Sequence, residues 1–111
     1  VAYTITKGIW EGYDLYKDVS TETACWTHEK ALALARRQFF PVHSGSKKFY
    51  QEIGVWTPEL EAWDKHCYET EKAREEAWAK AKAEGKVGTK TWPDEWWQIV
   101  LSIEFPELVK K

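Results

Sequence analysis

Methionine is missing from this chain altogether, cysteine occurs twice, and neither charge sign is in excess. The 16 basic and 18 acidic side chains are interspersed and leave a formal net charge of −2. Such a balance gives no general attraction for nucleic acid or anionic lipid, so neither is expected as a partner. No apolar run approaches the roughly 20 residues that a membrane helix requires. Val1 to Trp10 lack the basic start and continuous apolar centre of a signal peptide. A chain that begins Val1-Ala2-Tyr3 reads as an excised piece or a processed product, which leaves an upstream leader compatible with it. The two cysteines, Cys25 and Cys67, fit one disulfide or two free thiols. Burial as small hydrophobic side chains is the plainer expectation for this residue type.

What is present is apolar enough to fold. Hydrophobic residues make up 43% of the 111, which separates the chain from disordered compositions. That length supports one domain with a single modest core.

Helix punctuation recurs throughout, while the alternation of half-buried strands does not. Ile5, Ile9, Tyr13 and Tyr16 recur at spacings of four and three and share a helical face. Gly8 and Gly12 lie on that face and are expected to permit the close approach of a neighbouring element. A first turn after the next break starts at Ser20, Thr21 or Thr23. From Thr27, the stripe Ala31, Leu32, Ala35 and Phe39 predicts a helix that Pro41 stops. Thr57-Pro58-Glu59 is the firmest signal: a capping hydroxyl, a proline preset for the first turn, and acid at the positive end of the dipole. That helix should run to Glu84 and end at Gly85, a span of roughly 40 Å. Beyond Tyr68 its apolar face is mostly alanine, so the distal half looks poorly covered. Self-association through the long helix is one way to cover it. After a Lys86–Lys90 linker, "WPDEWWQIVLSIEF" opens a last helix at Pro93 that Pro106 ends.

Chemistry-bearing patterns are sparse. Cys25-x-x-His28 and His66-Cys67 supply zinc-ligand types, but neighbouring residues on a helix point about 100° apart and chelate one ion poorly. No segment resembles a strained nucleophile turn, so the chain is read as non-enzymatic, without cofactor or metal. Of the eight tryptophans, Trp10, Trp26, Trp56, Trp63 and Trp78 fall in helical stripes and read as core. Trp92, Trp96 and Trp97 cannot all face inward, which makes them the candidate interaction surface. "SGSKK" lacks the spacing of a nucleotide-binding loop. His43, Ser44, Gly45 and Ser46 instead stand before a helix, either holding an anion or, as the sequence favours, capped by a serine.

The segment "PVHSGSKKFYQEIGVW", residues 41 to 56, resembles the Pro-Leu-His-Pro-Gly-Ala-x-x-Tyr-Tyr-x-Glu-x-Gly stretch of TAXI-family solute receptors, the extracytoplasmic binding proteins of TRAP transporters. Upstream, "VAYTITKGIWEGYDLY" is similar to the family's Val-Tyr-x-Ile-Thr-Lys-x-Leu-Phe-Glu-Asn helix, and "EKALA" to its Glu-Asn-Ala-Leu step. The resemblance covers residues 1 to about 56, and the Trp63–Trp78 helix resembles, more loosely, a C-terminal extension of some members. Ser44 and Ser46 replace a proline and an alanine of the motif, and Gly12 a larger polar residue.

The resemblance implies a periplasmic two-lobed α/β receptor that delivers a small, often carboxylate-bearing solute to membrane subunits. This chain then reads as its C-terminal helical fragment, 1–111 as a single helical domain. The expected architecture is all-α: four to five helices in a small irregular bundle, with one long helix over about 58–84. Its expected partners are the remainder of the receptor and the TRAP membrane subunits, with the solute bound mainly by residues outside this chain. A free-standing helical interaction module using the tryptophan-rich face is the alternative, and a small domain with an aromatic ligand pocket is a third reading.

Overall fold

The computed structural model describes residues 1–109, and among them every regular element is helical. In chain order these are α1 (Ala2–Glu11), α2 (Tyr13–Tyr16), α3 (Thr21–Ala24), α4 (His28–Ala35), α5 (Ser44–Glu52), α6 (Pro58–Ala83), α7 (Trp92–Glu104) and α8 (Pro106–Val109). The all-α expectation holds, and so does the long helix, which spans 26 residues. Two compact units divide the chain, Val1–Lys65 and the part from His66 onward.

In the first unit α1 lies against α5. Contacts step the same way along both: Tyr3 at Gly45, Thr6 Oγ1 to Ser46 Oγ at 2.7 Å, and Trp10 against Phe49 and Tyr50. Tyr3, Thr6 and Trp10, at spacings of three and four, therefore form the packed stripe of α1. The aliphatic stripe read from the sequence is different: Ile5 and Ile9 remain exposed. Its other half lies in α2, because Gly12 breaks the helix. A methyl on Gly12 would stand 2.7 Å from the Gly8 carbonyl oxygen.

The close approach expected at Gly8 and Gly12 occurs elsewhere. Nothing lies within 4 Å of where a Gly8 side chain would be. At Gly45, by contrast, a Cβ would meet the Tyr3 amide nitrogen at 2.8 Å and the Ala2 methyl at 3.3 Å. Gly45 is the glycine that lets the helices touch.

Helix α4 also ends earlier than its apolar stripe suggests. Thr27 caps it, accepting from the Lys30 N–H, but Arg36 already closes it and Phe39 is exposed. The reason lies in α6: Trp63 Nε1 donates to the Gln38 carbonyl at 2.9 Å, and Asp64 Oδ1 accepts the Val42 N–H at 2.7 Å. Both bonds need the chain extended between 38 and 42, where Pro41 also disfavours helix.

The first turns of α6 anchor this unit. Thr57 Oγ1 accepts the Leu60 N–H, as the Thr-Pro signature predicts, and Leu60 is 1% exposed in a cluster with Ala35 and Val42. Burying Leu60 and Phe49 contributes about 1.5–3 kcal/mol each. Asp64, 3% exposed, also accepts from Lys47 Nζ at 3.2 Å, and that ammonium reaches Glu61 at 2.8 Å. Helix α5 ends in a Schellman cap: Gly54 (φ +75°) donates to the Gln51 carbonyl and Val55 to that of Tyr50.

In the second unit α6 ends with the same device. Gly85 (φ +68°) donates to the Lys82 carbonyl and Lys86 to that of Ala81, one residue from the predicted stop. Its distal face is better covered than the alanine content suggested. Thr70 and Ala81 are buried, and Trp78 meets Trp92 and Trp96 of α7 at 5.6 and 5.3 Å between ring centroids. Tryptophans fill the space that alanines leave. Arg74 of α6 pairs with the buried Glu104 carboxylate at the far end of α7.

Three outcomes test this architecture by urea denaturation. Gly45→Ala should cost about 1–3 kcal/mol through overpacking, whereas Gly8→Ala should stabilise by up to about 1 kcal/mol. Asp64→Ala leaves the Val42 amide without its acceptor and takes one of two carboxylate partners from Lys47, which keeps Glu61, and should cost about 1–3 kcal/mol. Its neighbours set a pH dependence. Hydrogen bonds from Lys47 and Trp56 hold the Glu61 carboxyl below its ordinary 4.5. Partial burial presses the Lys47 ammonium down, but its bonds to Glu61 and Asp64 outweigh that and hold it above 10.5. The contribution of Glu61 is thus present above pH 4.5 and lost as acid takes the pH through its depressed value. Lys47 contributes below pH 10.5 and loses its share as the pH rises through its raised value. Melting temperature should fall at both ends, and Glu61→Gln should flatten the acid limb.

Candidate functional site

The loop before α5 is a joint rather than an anion cradle. His43 is the N-cap of α5: its Nδ1 accepts the Gly45 N–H at 3.0 Å, so the imidazole does what the sequence assigned to a serine. Ser46 is occupied with Thr6, and the start of α1 sits against Gly45. The Gly45 N–H of the helix start is thereby satisfied within the chain.

Next to this joint the aromatic side chains of the first unit enclose a hollow of about 120 Å³, open on one side. Trp10 and Tyr50 form its inner walls, 5.6 Å apart and steeply inclined at 65°. Tyr16 and Trp26 form the outer pair, edge to face at 6.3 Å. Hydrogen bonds and ring contacts hold these side chains in place, and His28 among them also lines the hollow. His28 stacks flat on Trp10, with centroids 3.9 Å apart and planes 5° from parallel, and its Nε2 donates to the Trp10 carbonyl at 2.7 Å. Tyr16 Oη donates to the Ile9 carbonyl at 2.9 Å. Tyr13, which ties α2 to Ala24 through its hydroxyl, packs on both Tyr16 and His28. Burial raises the pKa of Tyr50, so its phenol stays protonated and able to donate.

No carboxylate or ammonium lines this hollow. A second one of about 280 Å³ adjoins it, sharing Ile9, Trp26 and Ala31 and extending past Cys25 and Leu34 to Lys30. Trp26 stands between the two with 58% of its surface exposed. It was expected in the core and instead forms the lip, because α3 and Thr27 carry it outside the α1–α5 contact.

The other residues singled out in the sequence are dispersed. Trp92 is buried and Trp96 half-buried, 5.6 Å from each other within the cluster on Trp78, while Trp97 is 62% exposed. Cys25 is exposed and Cys67 buried, and no disulfide joins them. Among the described residues no three His, Cys, Asp or Glu side chains converge as metal ligands. The aromatic pocket of the third reading carried no residues in the sequence, and the ones that form the hollow were not foreseen together. Trp10, Tyr16, Trp26 and His28 come from three segments, and their one shared signal was aromatic density beside a histidine.

The helices that build the hollow are the part of the chain with a recognisable relationship. The NMT1-like family model matches residues 1–54. That is a family of periplasmic solute-binding proteins, and the match covers just under half of the chain. It stops at the Schellman glycine of α5, so α6, α7 and α8 lie outside it. Neither a curated protein nor a solved structure matches the chain. Among the described residues no helix is long and apolar enough to cross a membrane.

The bond from Tyr16 to Ile9 gives a test of how the hollow is held. Tyr16→Phe keeps the ring and removes one hydrogen bond, and should lower stability by about 0.5–1.5 kcal/mol in urea unfolding.

Proposed function

We infer that this chain is the helical part of an extracytoplasmic solute receptor of the TAXI type, serving a TRAP-type transporter. Its role is structural and docking, without enzymatic chemistry. The observation that carries the reading is the coincidence of two boundaries: the family match ends at residue 54, where α5 ends in its glycine cap. The matched helices supply the receptor-like part. The helices beyond the match supply a surface of their own, with Trp97 as its most exposed ring. A tryptophan displayed in this way is the type of residue that anchors protein interfaces.

Two measurements test this. The reading frame upstream of Val1 should encode two α/β lobes; a start codon at or beside Val1 would favour the free-standing interaction module instead. In detergent extracts, the receptor should co-purify with TRAP-type membrane subunits, and Trp97→Ser should reduce that capture several-fold with the helical circular dichroism unchanged. Equal capture by the variant would remove Trp97 from the docking surface.

A further inference from the structure

The first unit also carries a feature that docking leaves unused. We propose that the paired hollows on α1, α2, α4 and α5 bind a small zwitterion, a quaternary ammonium head in the aromatic hollow with its carboxylate against Lys30. The site is separate from Trp97 and stands whether or not the chain docks to a transporter.

Shape and charge argue for the head group. Trp10, Tyr16, Trp26 and Tyr50 supply ring surface to a hollow of about 120 Å³ whose lining holds no carboxylate or ammonium, and whose one imidazole, His28, is bonded to the Trp10 carbonyl. Aromatic faces attract cations through the ring quadrupole, and a nitrogen clothed in methyl groups suits them because it gives up little hydration. A small hydrated cation would lose its water without recovering hydrogen bonds. The rings are pre-set: the bonds from Tyr16 to Ile9 and from His28 to Trp10 fix two of the walls before anything binds.

The tail follows from continuity. The second hollow shares Ile9, Trp26 and Ala31 with the first, and Lys30 is the charged residue of its lining. A ligand whose head fills the aromatic hollow emerges past the Trp26 lip into this space. An anionic group there meets an ammonium, and a cationic one meets repulsion. A ligand carrying both charges therefore complements the pair of hollows better than a simple cation.

Calorimetric titration of the intact chain tests the assignment with trimethylglycine, tetramethylammonium and tert-butylacetate, which puts carbon where the quaternary nitrogen stands. Trimethylglycine should bind saturably, with tert-butylacetate weaker on the order of tenfold. Trp26→Leu, at an exposed position, should weaken trimethylglycine and tetramethylammonium alike, with circular dichroism confirming the fold. Lys30→Met should weaken trimethylglycine and leave tetramethylammonium unchanged. Absence of saturable heat with trimethylglycine overturns the proposal, as does equal affinity for the carbon isostere. Unchanged binding by Trp26→Leu would do the same, and an equal response of both quaternary ligands to Lys30→Met would overturn the role of Lys30. None of these outcomes bears on capture by the membrane subunits, which is read at Trp97.

Discussion

Asp64 holds a carboxylate in a nearly waterless position, and the first unit is arranged around satisfying it. One oxygen takes the Val42 N–H and the other takes Lys47 Nζ, so a single side chain of α6 fixes both the extended segment after α4 and the first turns of α5. Burial makes these bonds obligatory, because a charge left unpaired there would cost far more than the pair contributes. Lys47 extends the arrangement outward to Glu61 and lies 5.2 Å over the Trp56 ring. With α5 held in this way, Gly45 presents bare backbone to the start of α1, and α1 can settle on it.

The aromatic hollow is a consequence of that settlement. Trp10 reaches Tyr50 because α1 and α5 touch at Gly45, and the other two walls arrive on short segments that α1 and α4 carry with them. The four-residue turns α2 and α3 have little helical stability of their own. Tyr13, through its bond to Ala24, and the Ser20–Thr23 capping box hold them in place. Large rings supported by hydrogen bonds to backbone carbonyls leave a gap that smaller side chains would have collapsed. The second unit uses its tryptophans differently: Trp78, Trp92 and Trp96 pack on one another and fill the space between α6 and α7.

Much of this was legible in the residues. Local chemistry fixes where α6 starts and stops, because Thr57-Pro58 and Gly85 act on their own backbone within a turn or two. The same holds for Gly54, which closes α5. The helical class follows from the same signals. The candidate site was not legible. Its walls come from residues 10, 16, 26 and 50, and nothing in their spacing says that they meet. The aliphatic period of α1 was a misleading guide, since Tyr3, Thr6 and Trp10 bury more surface than Ile5 and Ile9 and took the packed face.

Sequence alone determined what depends on neighbours along the chain: helix ends, caps, the absence of strand alternation, and the resemblance carried by "PVHSGSKKFYQEIGVW". Tertiary structure decided what depends on partners distant in sequence. It gave Gly45 the close contact expected of Gly8 and Gly12, made His43 a cap, and stopped α4 short of Phe39. It also placed Trp26 at the rim of a hollow rather than in the core. The physical reason is the same in each case. A cap or turn is settled by atoms a few residues apart, while packing is settled by which surfaces bury most and which buried polar groups must be met.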